Sequence, residues 1–247
     1  MTPDINARAY YRSVEENFSN NATQSFTPGQ TRYGAAATAR LGSSTRFVVG
    51  YDHEVNFGTA PAIQTDFFDL FNPGVEAPPG TAVNNSLTTI RAGVEQQIGS
   101  ATIGVDYVNR DRNDRVNDVF SGNASQIVSR LGLPITEALT FRAQNEVNLG
   151  SGNDPLYPNR TTLGLDWRAY PGVTMRLAHQ FFDGGILGNN SITSLDTIVE
   201  QKIGENTSVT GRYSVISGFS GITGQGAVGL NHRWVISPGL RVNLGYE

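Results

Sequence analysis

From Ser44 to Phe57 apolar and polar positions alternate: Phe47, Val49, Tyr51, His53, Val55 and Phe57 share one parity, and Arg46, Gly50, Asp52, Glu54 and Asn56 the other. Successive side chains of a β-strand point to opposite faces, so this spacing predicts a strand with one apolar, aromatic face and one charged face. The split recurs along the chain. Tyr33, Ala35, Ala37, Ala39 and Leu41 oppose Arg32, Gly34, Thr38 and Arg40; Ile90, Ala92, Val94 and Ile98 oppose Arg91, Gly93, Glu95 and Gln97. Ala101, Ile103, Val105 and Tyr107 oppose Asp106, while Leu139, Phe141, Ala143, Val147 and Leu149 oppose Arg142 and Glu146. Leu163, Leu165, Trp167 and Ala169 oppose Asp166 and Arg168, and Val173, Met175, Leu177, His179 and Phe181 oppose Arg176. Val228, Leu230, His232 and Trp234 oppose Arg233, and Leu240, Val242, Leu244 and Tyr246 oppose Arg241. Segments 5–14, 124–133, 192–203 and 207–216 carry the pattern less cleanly, which brings the expected total to thirteen strands. Nowhere does helical i, i+3, i+4 spacing outperform the period of two.

The expected connections alternate in length. Short turns fall at Gly42-Ser43, Gly99-Ser100, Pro134-Ile135, Pro171-Gly172, Gly204-Glu205 and Ser237-Pro238, and longer polar loops at 15–30, 58–84, 112–123, 150–158, 183–190 and 217–223. This regularity predicts an antiparallel up-and-down arrangement, and a Greek-key sandwich gives no reason for it.

Composition then decides which surroundings suit such strands. Only 38% of the 247 residues are apolar and no run approaches the roughly 18 apolar residues of a helical span, which excludes a helical membrane protein. Strands that meet lipid with every second residue are compatible with that composition. The apolar parity of the strands named above carries no Asp, Glu, Lys or Arg, and it mixes Ala and Gly with single aromatics rather than the large aliphatics of a dry sandwich core. That favours lipid over a soluble all-β fold. The net charge of −4 leaves no polybasic footprint for nucleic acid, and the lack of cysteine removes disulfides and thiolate metal sites.

Segments such as Thr31-Arg-Tyr-Gly-Ala and Gly239-Leu-Arg-Val-Asn-Leu-Gly-Tyr resemble strands of bacterial outer-membrane β-barrels, and the resemblance extends over nearly the whole chain. It is also similar to the barrel regions at the C-terminus of large cell-surface proteins. The resemblance implies a single transmembrane barrel domain over residues 1–247, with 12–14 strands, short periplasmic turns and a bacterial outer-membrane location. Such barrels have an even number of strands. Thirteen strands, together with a start at Met1-Thr2-Pro3-Asp4 that has no leader-like apolar stretch, suggest a piece of a larger polypeptide whose other segments would be its partners.

The inward parity would line a lumen with Arg32, Arg40, Arg46, Asp52, Glu54, Arg91, Glu95, Asp106, Arg142, Glu146, Asp166, Arg168, Arg176, Arg212, Arg233 and Arg241. Seventeen of the 18 basic residues are Arg, which is always charged and can bridge two carboxylates. The set reads either as a ladder that biases anion permeation or as a structural ion-pair lattice that also uses Asp196 and Glu200. Tyr51, Tyr107, Trp167, Phe181, Tyr213, Trp234 and Tyr246 are expected in interfacial girdles. The longest loop, 58–84, contains Asp66, Phe67, Phe68, Asp69 and Phe71, and would fold into the barrel as a constriction, pack on a partner, or cap the rim as a short amphipathic helix. The acid-rich stretch 111–123 lacks calcium-loop spacing and reads as solvated loop, and Gly150-Ser-Gly-Asn-Asp-Pro reads as turn chemistry. His53, His179 and His232 all lie on the apolar parity, away from the acids, so no nucleophile–base site, metal or cofactor is expected.

The expected function is therefore a porin-like pore for passive diffusion of small polar solutes across the lipid bilayer. The alternatives are a non-conducting anchor or translocation barrel of a larger surface protein, and a soluble all-β adhesin domain.

Overall fold

A computed structural model describes residues 4–15, 29–60, 69–71, 80–150, 154–186, 188–218, 221–237 and 240–246, with side chains described as far as Trp234. Thirteen strands account for most of them: β1 (Asp4–Val14), β2 (Gln30–Leu41), β3 (Thr45–Thr59), β4 (Ala82–Ile98), β5 (Ala101–Asp114), β6 (Gly122–Pro134), β7 (Leu139–Asn148), β8 (Asn159–Tyr170), β9 (Val173–Asp183), β10 (Ser191–Lys202), β11 (Thr207–Gly218), β12 (Gly221–Ser237) and β13 (Leu240–Tyr246). All thirteen form one sheet in chain order, each antiparallel to the next. The one helical element among the described residues is a 3₁₀ turn at Asp118–Phe120. All-β, up-and-down architecture with thirteen strands is what the alternation predicted.

All six expected short turns join strands where anticipated, and Gly42 (φ 70°) and Gly99 (φ 60°) supply the left-handed backbone two of them require. The opposite end of the sheet carries the longer connections, with one exception. Loop 217–223 is not a loop: β11 and β12 stay paired out to Gly218↔Gly221, leaving two residues between them. The glycine-rich start of β12 had no apolar alternation to reveal it. The Tyr213 ring supplies the missing side-chain cover, lying where a Cβ on Gly224 or Gly226 would come within 3.1 or 3.3 Å of it. Residues 112–114, also assigned to a loop, complete β5, so Arg112 and Asp114 are strand residues forming a sheltered ion pair at 3.2 Å.

Exposure of the two faces is the reverse of a water-soluble sheet. The polar parity is the sheltered one: Gln126 is 0% exposed, Glu146 1% and Gln180 1%. The apolar parity is open, with Phe47 at 45%, Leu177 at 45% and Trp167 at 48%. The sheltered face is also concave, because a single cavity of about 200 Å³ is lined by residues of every strand from β3 to β7. Among the described residues β1 pairs only with β2 and β13 only with β12.

Candidate functional site

The concave polar face is the candidate site, and cross-strand register builds it. Antiparallel neighbours place residues of like parity opposite each other, so an Arg on one strand meets an acid on the next. Arg32 binds Asp52 at 3.0 Å and lies 3.9 Å from Glu54. Arg46 meets Glu95 at 2.7 Å, Arg142 meets Asp166 at 3.4 Å, and Arg212 grips Asp196 through two bonds of 2.9 and 2.8 Å. Arg91 holds Asp106 in a bidentate fork at 3.0 Å, and Arg130 closes on the same carboxylate from β6. The Asp106 side chain reaches Arg91 across Gly93, where a Cβ would collide with it.

From Arg130 the network continues through Gln144 (3.2 Å) to Glu146 (2.7 Å), which pairs with Arg160 at 2.7 Å. Burying charge is costly unless it is paired and hydrogen-bonded; every acid of this lattice has an Arg partner, although Glu146 Oε2 and Gln180 Oε1 accept no hydrogen bond.

The remaining anticipated lumen residues lie elsewhere on that face or at its edge. Arg40 is exposed between Asp4 and Arg46 in register, next to the β2–β3 turn. Arg168 donates to the Glu137 carbonyl in the β6–β7 turn. Arg176 is in register with both Asp166 and Asp196 and is exposed, as is Arg233. The side chain of Arg241 lies outside the described residues.

Two connections fold onto the polar face. Asp69 accepts a hydrogen bond from the Phe71 amide (3.0 Å) and turns the chain so that Leu70 is 1% exposed. The Leu70 carbonyl accepts from Gln180 (2.9 Å) and Thr162 (3.5 Å), and that of Phe71 from Gln144 (3.0 Å). The Phe71 ring occupies space left open by Gly164 and lies 4.0 Å from the Arg142 guanidinium. Residues 69–71, from the connection between β3 and β4, therefore dock on β7, β8 and β9. Asp66, Phe67 and Phe68 lie outside the described residues.

The second inward connection, 154–158, begins with the turn chemistry expected at Asp154-Pro155 and then folds onto the face. Asp154 accepts from the amides of Leu156 and Tyr157 at 2.9 Å. Tyr157 is buried, its ring 4.6 Å from Arg110 and its carbonyl bound by Gln126 (3.1 Å) and Asn148 (2.9 Å). Burial pushes the Tyr157 phenol above its ordinary value, against the pull of Arg110.

Sequence reasoning placed Arg110 on the polar parity of β5 without giving it a role, and it missed Arg112, Arg130, Arg160, Leu70 and Tyr157. Arg130 sits on a strand of blurred alternation, and Arg112 and Arg160 at strand ends assigned to or bordering loops. Leu70 and Tyr157 become visible only once their loops are seen to fold inward.

The exposed face carries most of the strand aromatics, with Tyr10 and Phe182 on the polar parity. Trp167, Phe181 and Trp234 sit near strand ends, whereas Tyr51, Tyr107 and Tyr213 fall mid-strand. On β5 the outward apolar run ends at Tyr107, which hydrogen-bonds Ser125 (3.2 Å), and Asn109 and Asp111 follow it. The strand thus projects past the apolar band that its aromatic residue borders. The side chain of Tyr246 lies outside the described residues. Each histidine shares an Nδ1–Oγ1 hydrogen bond with a cross-strand threonine: His53 with Thr88 (2.8 Å), His179 with Thr193 (2.7 Å) and His232 with Thr207 (2.8 Å). Among the described residues no group of three metal-ligating side chains converges. No protein-family model matches the chain, and no curated protein does.

Proposed function

We propose that the sheet closes into a bacterial outer-membrane β-barrel whose polar face lines a pore for passive diffusion of small polar solutes. The loop carrying Leu70 and Phe71 is its constriction. The observation that carries this reading is the reversed exposure of the two faces. Water would not leave Phe47, Val105, Leu163, Leu177 and Trp167 uncovered while sheltering Glu146, Asp106 and Gln180; lipid outside and an aqueous channel inside would. Closure belongs to the same reading, because open strand edges are not tolerated in hydrocarbon. A sheet of this many strands encloses a lumen wider than side chains alone fill.

A non-conducting anchor of a larger surface protein is the second reading. Its support is the ion-pair lattice and the two inward loops, which together occupy much of the concave face. Neither reading assigns catalysis, since the histidines face away from the acids.

The test is reconstitution of the folded protein into planar lipid bilayers. Discrete current steps are expected. A protein that inserts and retains its β-structure but gives no steps would refute the pore and favour the anchor. Monomeric behaviour in water without detergent would overturn both.

A further inference from the structure

We infer that the cavity beneath Phe71 is a binding subsite for a small organic monocarboxylate. Its place on a permeation path rests on the pore reading; its chemistry does not. The cavity, about 200 Å³, is bounded by Val48, Phe71, Arg91, Asp106, Arg130 and Arg142. Charge around it is unbalanced. Four guanidinium groups (Arg46, Arg91, Arg130, Arg142) are served by three carboxylates (Glu95, Asp106, Asp166).

The imbalance is concentrated on two residues. Arg130 must share Asp106 with Arg91, while Arg142 reaches Asp166 only at 3.4 Å and keeps 37% of its side chain exposed. A guanidinium carries five N–H donors and Asp106 only two oxygens, so donors remain on the cavity side. A carboxylate suits that fork geometry in a bidentate mode, and one negative charge restores local balance. A dianion would exceed the surplus, and a cation would face three guanidinium groups on the cavity wall.

The remaining wall selects an organic anion. Val48 and the Phe71 ring present apolar surface beside the guanidinium groups. Gly104 and Gly132 withhold side chains there, and a Cβ on Gly132 would meet nothing within 4 Å. The space is below the roughly 300–1,000 Å³ of drug-sized sites, which limits the ligand to a compact ring or short chain bearing one carboxylate.

Benzoate is the probe, with benzamide as its uncharged analogue and chloride as an anion lacking an apolar part. Calorimetric titration of the folded protein in detergent micelles should show saturable benzoate binding and none for benzamide. Arg142→Gln should weaken benzoate binding about tenfold or more. Gly132→Leu should do the same by filling the space with every charge retained. Arg115→Gln, in an outer loop, should change nothing. Circular dichroism confirms that each variant keeps its β-structure. Equal binding of benzamide and benzoate, failure of folded wild type to bind benzoate, or wild-type affinity in both Arg142→Gln and Gly132→Leu would each overturn the subsite. Competition by chloride at equal concentration would overturn its organic selectivity. Current recordings separate the two proposals: a conducting protein that ignores benzoate sinks the subsite alone, and a benzoate-binding protein without current sinks the pore alone.

Discussion

Glu146 and Arg160 show what a charge needs in order to stay on the sheltered face. Their side chains are 1% and 7% exposed, and they meet at 2.7 Å while Gln144 donates to the same carboxylate. Removing one partner of such a pair leaves the other buried and uncompensated, so Glu146→Gln should cost about 3 kcal/mol. Arg46 and Glu95 stand at the same separation but keep 44% and 38% of their side chains in solvent, so Arg46→Gln should cost less than about 1 kcal/mol. Chemical unfolding in micelles, followed through the fluorescence of Trp167 and Trp234, compares the two, and equal losses would refute the assignment of a sheltered face.

Tyr157 adds a pH dependence outside the strands. Its phenol is held above its ordinary value near 10 by burial, so the folded loop binds that proton more tightly than the unfolded chain does. The docking it contributes is complete below pH of about 10 and fades as pH rises through the raised value. Protection of the amides around 154–158, taken relative to base-catalysed exchange of the free chain, should therefore fall above pH of about 10 in wild type. Tyr157→Phe should lack that alkaline step, and a persisting step would assign the titration to another group.

At the scale of elements, strand number, direction and most turns were legible because each strand obeys the same two-residue rule. Legibility failed where that rule is suspended for a physical reason. β12 begins with glycines whose cover comes from Tyr213 on β11, a contact invisible along the chain. β5 runs past its apolar stretch, so Arg112 and Asp114 looked like loop although the ladder with β4 continues beside both and that with β6 reaches Arg112. The candidate site was half legible: the carboxylate partners on neighbouring strands were named, but Arg130 and Arg160 were not.

The outward face of β5 offers the sharpest element-level test. Val105, 42% exposed, is the fifth residue of the strand and lies between Ile103 and Tyr107 on that face. Val105→Arg should cost about 2–4 kcal/mol when the protein folds into lipid vesicles, whereas an exposed site in water would tolerate it within about 0.5 kcal/mol. Unchanged stability in vesicles would remove the lipid-facing assignment.

For the whole molecule, the proposed pore has its narrowest point at the docked Phe71. The Phe71 ring sits on Gly164 and beside Arg142, so Phe71→Ala should widen the passage and raise single-channel conductance, on the order of a doubling if the ring fills about half the free cross-section beside the Arg91–Asp106 lattice. Gly164→Ala should also change conductance, because its methyl group would lie within 2.7 Å of the ring and force the loop to move. Conductance equal to wild type in both variants would place the constriction elsewhere.

The same loop has a consequence for how the molecule is assembled. Every strand pairs with its chain neighbour, so each hairpin closes over a short stretch of polypeptide and can form early. The bond from Gln180 to the Leu70 carbonyl joins residues 110 positions apart, and the one from Gln144 to Phe71 spans 73. These contacts have no surface to land on until β7, β8 and β9 stand side by side. In the proposed pore, the passage is therefore wide while the protein is young and acquires its narrow point last, as a finishing event of folding rather than a feature of the nascent sheet.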